Sequence, residues 1–256
     1  MKTVINFKIL ILFFATILFS SCELELQDNY DFQSGANFDE PFGELTAYEF
    51  VQEFTTPVTE DDNYNPEHFN YMEAAIRKAG MVEDFNQTAD TLRTYLLLNN
   101  NAFVGNGDVI QIVTGSAATR EPVLDALGDP VLDENGDEVS ILLTPDEVME
   151  RVDTPEELEK LRTLLRYHIT MDYVDQVPTL AITQTWYTFQ TMIPGVDGTI
   201  SYKRDDDWDV QINGNGSPMP ASARTGGWTE NVRNHNYVFN NGLGHIIADP
   251  VRNQPY

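Results

Sequence analysis

An α+β fold is the class this sequence predicts, and three observations carry it. Helix-start signals recur through the first two-thirds of the chain, twice as Thr-Pro-x-Glu (Thr144 to Glu147 and Thr154 to Glu157). From Thr179 onward the composition turns to β-branched and aromatic residues. Near the C-terminus, Tyr237-Val-Phe239 leads into the turn signal Asn240-Asn241-Gly242, and a second apolar run, His245-Ile-Ile-Ala248, follows and is stopped by Asp249-Pro250. An apolar run without alternation has no water-facing side, so His245 to Ala248 reads as a strand covered on both faces.

The chain opens on a basic segment, Met1 to Lys8, then Ile9 to Phe19 with only Thr16 polar, then Ser20-Ser21-Cys22. That order reads as an export signal, and the apolar run is short of the ~20 residues of a membrane span. Small residues before Cys22, the only cysteine, also resemble a bacterial lipoprotein box. The expectation is a signal peptide over 1–21, a lipid on Cys22 and an acidic tether over 22–45 ahead of a domain over 46–256. Acidic residues just after the Cys resemble surface-export signals of some Gram-negative lipoproteins. The expected place is therefore the outer membrane, surface-exposed.

The whole chain has 15 Lys+Arg against 41 Asp+Glu, a net charge of −26. Such an excess argues against nucleic acid or anionic membrane surfaces as direct partners and says little about fold. No internal repeat is evident.

Thr46-Ala-Tyr-Glu49 has capping-box spacing and starts the first helix. Asn65-Pro66-Glu67 reads as the start of a second, with Phe69, Met72, Ile76 and Ala79 on its apolar face and Gly80 at its end. Thr94 to Leu98 reads as a buried strand broken by Asn99-Asn100-Asn101. Val109 to Val113 reads as a strand, and Pro130 to Val139 as a hairpin around Asn135-Gly136. Asp133, Asn135 and Asp137 have part of a calcium-loop spacing, but Glu138 stands at its glycine and Thr144 at its final Glu. Leu180 to Ile193 reads as a strand. Thr199 to Lys203 and Trp208 to Ile212 read as a hairpin with one wet face around an acidic turn, Asp205 to Asp207. Gly214 to Gly227 reads as loop.

Three stretches resemble fasciclin-type domains. In Thr94 to Phe103, Thr94, Asn100, Ala102 and Phe103 match the first family motif, while Leu96 to Asn99 replace its Phe-Ala-Pro-Thr. In Leu164 to Ile169, Tyr167 and His168 match the internal Tyr-His motif, which has been connected with adhesion in some animal members. In the closing motif, Asn241, Gly242, His245 and Ile247 match, with Ala248 in place of the family's Asp. The resemblance spans Thr46 to Val251. It implies a wedge or sandwich of β-sheet with helices alongside, and adhesion or binding rather than catalysis. It marks Thr94, Asn100, Phe103, Tyr167, His168, Asn241, Gly242 and His245 as structural positions open to a role in partner binding.

Enzyme signals are poor. There is no Gly-x-Ser-x-Gly elbow, phosphate loop or dinucleotide fingerprint, and the four His (68, 168, 235, 245) form no metal-ligand spacing. No cofactor or metal is expected. A lipid-anchored, non-catalytic module binding a protein or glycan partner is the leading reading. A carbohydrate-binding accessory protein of a glycan-uptake system is the alternative, with Trp186, Trp208 and Trp228 as candidate ring platforms, and a carboxylate-based hydrolase stands behind it. The sequence sets no oligomeric state.

Overall fold

The computed structural model describes residues 41–55, 65–88, 91–104, 109–116, 119–219 and 230–251. Cys22, the 1–21 leader, nearly all of the tether and Trp228 lie outside the described residues. The architecture is α+β.

Seven helices are described: α1 (Ala47–Glu53), α2 (Asn70–Ala79), α3 (Val82–Asn86), α4 (Asn101–Val104), α5 (Val109–Thr114), α6 (Pro145–Glu150) and α7 (Pro155–Tyr167). Thr46, Thr144 and Thr154 each close a capping box with a Glu three residues on, so α1, α6 and α7 begin where two side chains satisfy opposite backbone donors. Gly80 ends α2 in the left-handed conformation, at φ 68°. Ahead of Thr46, the ring of Phe42 packs edge-on against Phe50.

The strands are β1 (Arg93–Leu98), β2 (Arg120–Pro122), β3 (Ser140–Leu142), β4 (Ile169–Thr170), β5 (Trp186–Gln190), β6 (Thr199–Arg204), β7 (Val210–Ile212), β8 (Glu230–Asn231), β9 (Asn234–Phe239) and β10 (Gly242–Ile247). One sheet has the order β4-β1-β10-β9 and a second the order β5-β6-β7-β8. β10 is buried along its whole length, and both its edges are paired, with β1 parallel on one side and β9 antiparallel on the other. The two sheets join at one edge through a Thr170–Thr191 bridge. Near the other, Val232 N–H donates to Val210 O and Arg233 N–H to Ile246 O.

Several sequence expectations need correction. α2 starts at Asn70, not at Asn65. The carbonyls of Asn65, Pro66 and His68 accept hydrogen bonds from Asn100 and Asn101, which holds that stretch as a turn. Val109 to Thr114 is a helix, not a strand: Val109, Ile110 and Val113 face the core at helical spacing, so packing overrides β-branched propensity. The strand expected from Leu180 begins only at Trp186, because the carbonyls of Leu180 and Ala181 are taken by the buried Arg204 guanidinium. The expected wet face of the β6–β7 hairpin is only partial: Thr199, Lys203 and Gln211 are partly exposed, but Ser201 between them is buried along with Ile200, Tyr202 and Arg204.

A repeat is also present. Val-Leu-Asp-x-x-Gly-Asp occurs at Val123 to Asp129 and again at Val131 to Asp137, a period of eight that is too short for a solenoid. Val131 N–H donates to Val123 O, Val139 N–H to Val131 O and Val123 N–H to Val139 O, each at 2.8 Å. Those three bonds close a ring. From it radiate two tight loops and the β2–β3 stem, giving a three-armed junction. It displays Leu124, Leu127, Leu132 and Ile141 to solvent.

Candidate functional site

Three motif positions, Thr94, Gly242 and His245, lie on the β1–β10 pair, and all eight are held in the interior. Thr94, opposite Leu243, is fully buried; its hydroxyl donates to Asp172 O and accepts from Val174 N–H, both at 2.8 Å. His245, opposite Leu96, reaches the same segment: Nε2 donates to Val174 O at 2.8 Å and Nδ1 accepts from Asn236 N–H at 3.3 Å. Asn241 ties three elements, donating to Phe85 O (2.8 Å) and Tyr95 Oη (3.2 Å) and accepting from Ala47 N–H (3.0 Å). Gly242 lies where β1 approaches most closely. A Cβ there would fall 2.0 Å from Arg93 O.

Asn100 serves α2 from outside, accepting from Tyr71 N–H at 3.3 Å and donating to Asn65 O at 2.8 Å. The ring of Phe103 stacks on Tyr71 at 5.8 Å. Tyr167 Oη donates to Thr199 O and accepts from Asn213 Nδ2, both at 2.8 Å, which fixes α7 to the second sheet. His168 caps α7, with Nδ1 donating to Leu164 O at 2.7 Å and Nε2 accepting from Val251 N–H at 3.0 Å. Burial holds His168 and His245 neutral, each with its pKa lowered to about 4. For both rings desolvation outweighs the carbonyl that would favour the cation. An imidazole that stays neutral and spends both nitrogens on backbone partners has no lone pair or proton to offer a substrate.

The surface offers other chemistry. The lead Asp of each repeat loop folds back on its own turn: Asp125 accepts from Leu127 and Asp129 N–H, and Asp133 from Asn135 and Asp137 N–H. Those bonds lower both carboxyl pKa values. Among the described residues no group of three His, Cys, Asp or Glu side chains is arranged to hold a metal ion. A groove of about 470 Å³ between α2 and α6 is lined by Ala74, Arg77, Lys78, Asp146, Met149 and Glu150. Arg77 crosses it, pairing with Glu73 and Asp146 at 2.9 Å, so much of its charge is already matched.

The corner between β6 and β7 differs. Asp205 repeats the loop geometry of Asp125 and Asp133, accepting from Asp207 and Asp209 N–H. The left-handed position, filled by Gly128 and Gly136 in the other loops, is here Trp208, at φ 72° and 56% exposed. Of the other candidate platforms, Trp186 is half-buried beneath Lys203 Nζ, 5.1 Å from its ring centroid. In the sequence Trp208 is one of three Trp, with no local feature to single it out. The signal lay in setting Asp205-Asp-Asp-Trp-Asp209 beside the two Asp-x-x-Gly-Asp loops.

No family model matches the chain, and no curated protein matches it. Among solved structures, the chain is similar to a FAS1 domain pair from the insect cell adhesion molecule fasciclin I. The identity is 17% and the TM-score 0.35, with 72% of this chain and 47% of that one covered. The chain thus spans about half the length of that structure.

Proposed function

We propose that this protein is a fasciclin-like interaction module, tethered to the outer membrane by a lipid on Cys22, that binds a partner at the cell surface without catalysing a reaction. One observation carries the reading. The matched polar residues of the three stretches, Thr94, Asn100, Tyr167, His168, Asn241 and His245, are buried and each bonds at least one backbone group, so their chemistry maintains the fold and recognition falls to the exposed corners. The basic, apolar and small-residue order ahead of Cys22 supports the tether. The multiple acyl chains of a bacterial lipoprotein meet the need for more than one anchoring signal.

The test has two parts. In cell fractionation the wild-type chain should pellet with membranes and Cys22→Ser should be released; a variant that still pellets removes the anchor from the account. Beads carrying the full chain should then be retained on isolated cell envelopes. Absence of retention, or turnover of an envelope component by the purified chain, would contradict a binding module.

A further inference from the structure

We infer that the β6–β7 corner is a carbohydrate subsite in which the outer face of Trp208 receives a neutral pyranose ring. The inference deepens, and rests on, the binding-module reading above.

The backbone gives the first argument. Three loops in this chain share one construction: a lead Asp whose carboxylate takes two backbone N–H groups and whose own N–H donates to the carbonyl of an Asp four residues on. The fourth residue of each has positive φ: 88° at Gly128, 89° at Gly136 and 72° at Trp208. Glycine takes that conformation freely, whereas a bulky side chain there is an outlier. Such outliers gather at sites where the side chain has a task.

The ring's setting gives the second. The Arg204 guanidinium lies 4.4 Å from the Trp208 ring centroid. Arg204 is itself buried and fixed, donating to Leu180 O at 3.0 Å and Ala181 O at 2.6 Å. The carbonyl of Trp208 accepts from Gln176 Nε2. Ring and backbone are thus held before any ligand arrives, which lowers the ordering cost of binding. One face of the indole is spent on Arg204, and the side chain remains more than half exposed. The electron-rich face of an aromatic ring attracts polarised C–H groups, and a pyranose presents a flat array of them.

The rim gives the third. Asp206 and Asp207 are exposed on the same turn, immediately before Trp208 in the chain. Asp206 is steadied by Gln184 Nε2 at 3.3 Å, and the Asp207 carboxylate makes no hydrogen bond among the described residues. Carboxylates are acceptors and pair with sugar hydroxyls. They repel uronate or sulfate groups, as does a chain of net charge −26. The rim thus selects against anionic glycans, and the probes are drawn from the neutral class.

The probes are neutral hexasaccharides of glucose, mannose and xylose, with oligogalacturonate as the anionic comparison. Each is titrated against the full chain in detergent, followed by tryptophan fluorescence and calorimetry. At least one neutral probe should bind saturably and oligogalacturonate should not. Trp208→Ala and Trp208→Gly should each weaken binding about tenfold or more, equal to about 1.4 kcal/mol. Trp208→Gly should melt at or above the wild-type temperature, since glycine relieves the backbone. A Trp208→Gly variant that binds like wild type, a preference for oligogalacturonate, or silence across the neutral probes overturns the subsite. So does a marked drop in its melting temperature with glycan affinity unchanged, which would make Trp208 a cover for Arg204. Bead retention on envelopes that survives Trp208→Ala would leave the module reading standing and remove only the glycan.

Discussion

Acidification should destabilise this protein through two histidines, in a window set by their burial. His168 and His245 are fully buried, and each has its pKa lowered from 6.5 to about 4. Below pH 6.5 the unfolded chain takes up a proton at each of these two rings that the folded chain refuses, and His235, also lowered by desolvation, adds in the same direction. Stability therefore falls as pH falls through this range and rises as pH rises. Each of the two fully buried rings contributes about 1.4 kcal/mol per pH unit between its two pKa values, so at pH 5 each costs about 2 kcal/mol relative to neutral pH. Together they remove about 4 kcal/mol from a typical margin of about 5–15 kcal/mol. The carboxyls whose pKa is lowered by backbone and cap hydrogen bonds, Asp125, Asp133, Glu147 and Glu157, lose their contribution as pH falls from the ordinary carboxylate pKa to their lowered values, beneath the pH 7.5 to 5 window. Urea unfolding of the wild type and of His168→Gln/His245→Gln, at steps from pH 7.5 to 5, isolates the effect. Glutamine keeps a donor and an acceptor but does not titrate. The double variant should start less stable at pH 7.5 and show a slope flattened by most of those 4 kcal/mol. An unchanged slope, or NMR titration of either ring near 6.5, would refute the reasoning.

Three further outcomes follow from the same interior. Gly242→Ala should destabilise by about 3 kcal/mol or more, since its Cβ meets backbone at 2.0 Å and not a side chain that could turn away; thermal melting checks it. Asn241→Ala should cost on the order of 3 kcal/mol by removing the side-chain partner of the buried Ala47 N–H and Phe85 O and one of the two amide donors to Tyr95 Oη, again read as a melting shift. Replacing 123–139 by an Asn-Gly turn between Pro122 and Ser140 should leave the melting temperature within a few degrees. The arms of the junction are exposed, and those two residues already pair across the β2–β3 stem.

Where local chemistry decides structure, the sequence was legible. The capping boxes at Thr46, Thr144 and Thr154, the left-handed Gly80 and the doubly covered β10 follow from residue type and spacing alone. Where a distant group claims a backbone carbonyl, it was not. Nothing near Asn65 says that Asn100, far along the chain, will hold its carbonyl and delay α2 to Asn70. Nothing near Leu180 announces the Arg204 guanidinium. Val109 to Val113 misled because β-branched residues favour strands until a helical face meets the core. The candidate corner was half legible. Trp208 stood among the possible platforms, but its left-handed backbone and its stacking on Arg204 are tertiary facts.

The motif residues hold the interior, and recognition is proposed to lie outside it, at the Trp208 corner. Retention of bead-bound full chain on isolated envelopes, measured for wild type, Trp208→Ala and His245→Gln at a temperature where all three are folded, tests it most directly. The account predicts that Trp208→Ala melts close to wild type and loses retention, and that His245→Gln melts lower and keeps it. Retention lost in folded His245→Gln but kept in Trp208→Ala would contradict it.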